Sequence, residues 1–186
     1  MPVTTQKQVT IPINHMPESQ TKLRQKLMKI LAYWKKTGFP SREKLVSTAD
    51  ELMEWKKKNH ANGIWEKVPL MVTATLDDSF GHGLQLIHLY AKVAGLKINS
   101  LGLLQTSEQI IKTCREVNPN FLGLTVLQFD SEESLTAICS NLPPKTKVVV
   151  GGPIFKADPD LAQRAGVNYV AKNVAFFLEY LLGNVD

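Results

Sequence analysis

Pro69-Leu70-Met71-Val72-Thr73-Ala74-Thr75-Leu76-Asp77-Asp78-Ser79-Phe80-Gly81-His82-Gly83 is an apolar run that opens on a proline, breaks at paired aspartates and crosses two glycines. A helical pattern then begins. The spacing predicts a strand over Leu70–Thr75 and a helix over Gly83–Ala94, with Gly95 placed to end it. A strand that feeds a helix through a glycine-containing loop is the unit of a parallel sheet.

The same unit recurs downstream. Lys97–Leu101 reads as a second strand, and Thr106-Ser107-Glu108-Gln109 is a capping box for a helix running to about Glu116. Phe121–Thr125 reads as a third strand, followed by a helix started by Asp130 and Glu133 and lasting to roughly Asn141. Lys147–Val150 is the fourth strand, and Asp158-Pro159 suits a helix cap and first turn. Val167–Val170 is the fifth strand; Asn173 opens a last helix that Gly183 ends. The expected fold is α/β: a flavodoxin-like five-stranded parallel sheet, order 2-1-3-4-5, with helices on both faces.

Upstream of Pro69 the character differs. Residues 1–18 contain Pro2, Pro12 and Pro17 and read as an extended arm. Leu23, Leu27, Ile30, Leu31 and Trp34 recur at helical spacing until Gly38 and Pro40. Ser41 can cap a second helix carrying Leu45, Ala49, Leu52 and Met53, and Asn62-Gly63 closes the segment. The expected division is an arm over 1–18, a helical region over 19–66 and the sheet domain over 67–186.

Composition limits the function. The chain has 186 residues, 44% hydrophobic and 21% charged, enough to bury a core. No apolar run approaches the roughly 20 residues of a membrane span, and no apolar leader segment is visible. Two cysteines, Cys114 and Cys139, build neither a disulfide framework nor a metal cage. A cytoplasmic protein with reduced thiols is expected. Residues 1–68 hold 13 Lys and Arg against 6 Asp and Glu, a basic balance that suits a solvated helical face or an acidic partner. Zinc-finger spacing and RNA-binding aromatic motifs are missing, which argues against a nucleic-acid partner.

Ligands of such sheets sit at the carboxyl ends of the strands. Three loops meet there: Asp77-Asp78-Ser79-Phe80-Gly81-His82-Gly83, Thr125-Val126-Leu127 and Gly151-Gly152-Pro153. In order and spacing they resemble the cobalamin-binding domain family found in methionine synthase, corrinoid methyl-carrier proteins and the carbon-skeleton mutases. That family carries Asp-x-His-x-x-Gly, Ser-x-Leu and Gly-Gly at the three places, and the likeness covers residues 69–183. It implies that a corrinoid binds with its dimethylbenzimidazole tail detached from cobalt and inserted beside the sheet. It assigns the tail slot to Thr125, Leu127, Gly151 and Gly152, with Val126 and Pro153 beside them, and the first loop, Asp78 to Gly83, to the cofactor. Threonine keeps the serine hydroxyl and adds a methyl group.

One departure stands out. The family's histidine, which ligates cobalt from below, is replaced here by Phe80, a ring without a lone pair. Asp78 then has no imidazole to orient at that position. His82 is the nearest substitute as a metal ligand, two residues further on, where the helix begins. His88 falls on another helix face; His15 and His60 lie in the basic half. Loss of a nitrogen donor below cobalt weakens axial donation and makes reduced cobalt easier to reach.

The likeness also implies a helical cap before the sheet. Residues 19–60 occupy that place but supply at most half of a four-helix cap, which makes a dimer one way to complete it. Trp34, Trp55 and Trp65 suit either a macrocycle or ordinary packing. The expected function is therefore a base-off corrinoid carrier that serves a methyltransferase or reductase partner. A haem- or corrinoid-binding sensor of the same fold is the alternative. Gly81-His82-Gly83 lacks the third glycine of a dinucleotide fingerprint, so a nucleotide enzyme ranks last.

Overall fold

The computed structural model describes residues 17–78 and 82–185. The expected arm falls mostly on residues 1–16, outside the described residues, as do His15, Ser79, Phe80 and Gly81.

Two helices come first, α1 (Glu18–Thr37) and α2 (Arg42–Lys58). Leu23, Leu27, Leu31 and Trp34 form the buried stripe of α1; Leu45, Ala49 and Leu52 form that of α2. The Ser41 side chain accepts from the Lys44 amide, as its capping position predicts. The five-stranded sheet follows: β1 (Leu70–Thr75), β2 (Lys97–Gly102), β3 (Phe121–Thr125), β4 (Lys147–Gly151) and β5 (Tyr169–Val170). All pairings are parallel and the order is β2-β1-β3-β4-β5, the expected flavodoxin-like arrangement.

Between the strands run α3 (His82–Ala94), α4 (Ser107–Val117), α5 (Glu132–Asn141), two single turns α6 (Ile154–Ala157) and α7 (Leu161–Arg164), and finally α8 (Val174–Gly183). The capping box forms as predicted: Thr106 accepts from Gln109 N and the Gln109 side chain returns to Thr106 N. Asn173 caps α8 by accepting from Ala175 N and Phe176 N.

The stretch after β4 differs from expectation. In place of one helix capped by Asp158, the chain makes two turns with Asp158-Pro159 between them. Proline disfavours helical geometry in the residue before it, and Asp158 is accordingly extended, at φ −128° and ψ 88°. The Asp158 carboxylate accepts from Asp160 N and pairs with Arg164, which also holds Glu132 of α5. The fifth strand is shorter than expected because the Asn168 side chain, not a backbone carbonyl, accepts from Val148 N.

The alternation of each strand divides the core in two. One layer, with α4 to α7, contains Val72, Ala74, Leu122, Leu124, Val148 and Val150. The other, with α3 and α8, contains Met71, Phe121 and Val149 and extends outward to α1 and α2. The helix pair is fastened to this layer by polar contacts as well as apolar ones. Tyr90 Oη donates to Leu45 O at 2.8 Å, Lys56 Nζ to Lys92 O at 2.7 Å, and Gln20 Nε2 to Trp65 O at 3.0 Å. Gly63 and Gly95 cross so closely that a Cβ on Gly95 would lie 2.4 Å from Gly63 Cα. Trp34 meets Tyr90 and Phe39 edge-on, and Trp65 packs on Phe121.

Candidate functional site

At the carboxyl edge the loops after β1, β3 and β4 are stitched together by backbone contacts. Val126 N donates to Gly151 O at 2.9 Å, Ala171 N to Val150 O at 2.8 Å, and Leu76 N to Thr125 O at 3.4 Å. The Asp77 carboxylate, buried, accepts from Leu127 N at 2.7 Å and so ties the first loop to the second. Paired aspartates after a strand usually cap a helix; here the first of them braces a neighbouring loop. Nothing local in the sequence singles out Asp77, because the contact spans 50 residues.

Beneath this rim lies a cavity of about 450 Å³, between the sheet and helices α3 and α8. That size falls within the usual range for small-molecule sites. Leu84, Leu86 and Ile87 line it from α3, and Val174 and Phe177 from α8. Met71, Gly123 and Val149 line it from the sheet, and Thr125, Leu127, Gly151, Gly152, Pro153, Ala171, Lys172 and Asn173 from the edge. Phe39, from the connection between α1 and α2, also lines it and is 48% exposed.

Gly123 sits in the middle of β3, where a Cβ would come 2.4 Å from Met71 Cε. Any larger residue there would displace the end of Met71, itself a lining residue of the cavity. Sequence reasoning passed over Gly123. Its signal was a glycine inside a strand pattern, which marks a close approach or a space left for something else.

The paired glycines do different work from a simple clearance of room. Gly152 has φ +138°, and a Cβ on it would lie 1.9 Å from Val126 O. It is glycine so that the loops after β3 and β4 can touch. A Cβ on Gly151 would meet Ala171 O at a tight 3.3 Å.

Of the residues singled out from sequence, Gly83, Thr125, Leu127, Gly151, Gly152 and Pro153 therefore border one opening. Val126 is fully buried and points into the opposite layer. Asp78 is exposed and is not part of the cavity wall. His82 begins α3. Ser79, Phe80 and Gly81 lie outside the described residues. His60 is exposed and stands in a left-handed conformation, φ 50°, at the end of α2. Among the described residues no group of His, Cys, Asp and Glu has metal-binding geometry. Burial pushes the Cys114 and Cys139 thiols up to about 11, so both stay protonated near neutrality.

Two buried polar groups lie on the cavity-side face of β1. Thr73 Oγ1 is 2.8 Å from His88 Nε2, and burial, followed by the Lys92 charge, lowers the His88 pKa. The Thr75 hydroxyl is fully buried and has no partner among the described residues. Thr75 pairs across the sheet with Thr125.

In fold the chain is similar to solved cobalamin-binding and corrinoid proteins. A novel cobalamin-binding protein from Desulfitobacterium hafniense DCB-2 matches with a TM-score of 0.73 and 21% identity, over 90% of this chain and 82% of that one. The monomethylamine corrinoid protein of Methanosarcina barkeri matches with a TM-score of 0.56 and 15% identity, over 84% and 77%. The methanol:cobalamin methyltransferase complex MtaBC of Methanosarcina barkeri matches with a TM-score of 0.60 and 16% identity, over 90% and 69%. No protein-family model and no curated protein matches the chain. No helix among the described residues is long and apolar enough to cross a membrane.

The arrangement suits a flat, mostly apolar group. The walls are Leu, Ile, Val, Met and Phe; the polar lining side chains, Thr125, Lys172 and Asn173, stand at the rim. The small lining residues Gly123 and Gly151 and the Thr125 hydroxyl at the edge fit a heteroaromatic tail with hydrogen-bonding nitrogen.

Proposed function

We propose that this chain is a cytoplasmic corrinoid-binding protein that holds the cofactor base-off and presents it to a partner, a methyltransferase or a reductase. The observation that carries the reading is the cavity bordered by Gly123, Thr125 and Gly151. Thr125 and Gly151 are among the positions where the sequence resembles a tail slot. The cobalt corrinoid would supply the chemistry, accepting and releasing a methyl group or an electron. The chain's residues bind and orient. Leu84, Ile87, Val174 and Phe177 enclose the tail and exclude water. The Thr125 hydroxyl directs it. Asp77 keeps the Leu127 segment in place.

Residues 67–186 form the binding domain in this reading, and residues 19–66 form its cap-like region, whose α1–α2 connection brings Phe39 to the mouth. Phe80 leaves the lower face of cobalt without a protein nitrogen. Fold neighbours that include a methyltransferase complex support a methyltransferase as the partner.

Absorption spectroscopy after incubation with hydroxocobalamin tests the reading. A retained corrin spectrum shifted to the base-off form supports it; a colourless protein after desalting overturns it, as does selective uptake of haem. Paramagnetic resonance of the Co(II) form examines the lower face. No nitrogen splitting is expected in the natural chain, and splitting should appear in Phe80→His. Splitting in the natural chain that disappears in His82→Ala would instead assign the ligand to His82.

A further inference from the structure

We infer that Lys172 reads an anionic group on the ligand, a phosphodiester held at the mouth of the cavity. The inference rests on the corrinoid reading above and names the part of the ligand that Lys172 recognises. Lys172 is the only charged side chain among the described residues that line the cavity. The other lining residues are apolar or neutral, so a charge at this rim faces a wall of low polarisability, where its field is less screened than on an open surface.

Its present contacts leave the charge available. Lys172 is exposed, and its Nζ stands 5.6 Å from the centre of the Phe176 ring. A cation over an exposed ring is held by roughly 0.5–1 kcal/mol. Arg164 is held by two carboxylates and Lys22 by one, whereas the contact seen for Lys172 is the Phe176 ring. Its backbone is fixed, however. Ala171 N is bound to Val150 O, and Asn173 is committed to capping α8. The ammonium group therefore swings on a flexible stem from a rigid base next to Gly151 and Pro153.

A ligand that places an uncharged aromatic end in the cavity and emerges between these residues passes Lys172 as it leaves. A cation there is complementary to a linking phosphodiester, the group that joins the nucleotide base of a complete corrinoid to its ring. A lysine offers a compact point charge on a mobile chain, and an arginine at the same place keeps the charge that a phosphodiester needs.

Titration of the full apo chain with cyanocobalamin, which carries the phosphodiester, and with dicyanocobinamide, which lacks it, tests the inference. Lys172→Met, Lys172→Arg and the natural chain are compared at low and high salt. Lys172→Met is expected to weaken cobalamin binding roughly tenfold, to flatten its salt dependence and to leave cobinamide binding unchanged. Lys172→Arg should restore most of the loss. Unchanged cobalamin binding in Lys172→Met overturns the inference, as does an equal loss for both ligands. A natural chain that takes up neither corrinoid overturns the corrinoid reading itself, a result distinguishable from failure at Lys172 alone.

Discussion

The two faces of the central strands differ in what they are asked to hold. Toward α4–α7, β1, β3 and β4 present Val72, Ala74, Leu122, Leu124, Val148 and Val150, none more than 3% exposed. Toward α3 and α8 the same strands present Met71, Thr73, Thr75, Phe121, Gly123, Thr125, Val149 and Gly151. The first face is aliphatic along its whole length. The second is large at the amino end of β3 and becomes small and hydroxylated toward the carboxyl end. A protein interior is normally packed to crystal density. A face that gives up bulk toward the ligand edge therefore leaves room, and the cavity of about 450 Å³ is that room. One face is filled; the other leaves a cavity toward the carboxyl edge.

The largest expected effect comes from breaking the seam where the two faces meet. Gly152→Val places a branched side chain at φ +138° against Val126 O. The loops after β3 and β4 cannot then close, and corrinoid uptake should be lost together with several degrees of melting temperature. This variant cannot separate loop geometry from slot volume, because Gly152 packs on backbone. Gly123→Val separates them. Its first obstacle is the flexible end of Met71. The chain should fold, while uptake measured by absorption falls at least tenfold. Retained affinity in a well-folded Gly123→Val protein would remove the slot from the proposal.

The converse variant sharpens the contrast. Leu122→Ala cuts into the filled face, where the residue is fully buried. Urea unfolding should show a loss of about 2–5 kcal/mol, with corrinoid uptake unchanged in the folded fraction. If the filled face also sets affinity, the division of labour between the faces is wrong. Thr125→Val is milder. It keeps shape and removes only the hydroxyl, so a loss of a few fold in uptake is expected with little change in stability.

Much of this contrast was legible in the sequence. Alternation and turn residues gave all five strands and their order, since a β-α repeat leaves few topologies. Thr106, Ser41 and Asn173 announced caps because capping is local. The three edge loops could be named for the same reason. What escaped were features fixed by distant neighbours. Asp77 meets Leu127 across 50 residues. Gly123 matters because the Met71 side chain of the neighbouring strand lies over it, a contact from distant sequence. The helix after β4 departs from expectation where Arg164 pairs with both Asp158 and Glu132, a contact that no local pattern shows. Nor could the tryptophans be assigned from spacing; Trp34 and Trp65 are packed in the layer shared by the helices and the sheet.

The smallest expected effect probes the polar side of the hollow face. His88 is half-buried against Thr73, and burial holds its pKa below the ordinary value near 6.5. Folding therefore favours the neutral ring. Between the ordinary value and the lowered one, the unfolded chain binds more protons than the folded chain, so stability declines as pH falls through that window. Above about pH 7 the group has no effect; below both values its full contribution is lost. Urea midpoints taken at about pH 7.5, 6.5 and 5.5 should thus decrease, and His88→Gln, which cannot charge, should flatten the trend. The filled face contains no histidine among its core residues, so Leu122→Ala should keep the slope of the natural chain and shift only its level. A slope that survives in His88→Gln would mean that the pH response arises elsewhere, and that the hollow face keeps its polar lining without cost near neutrality.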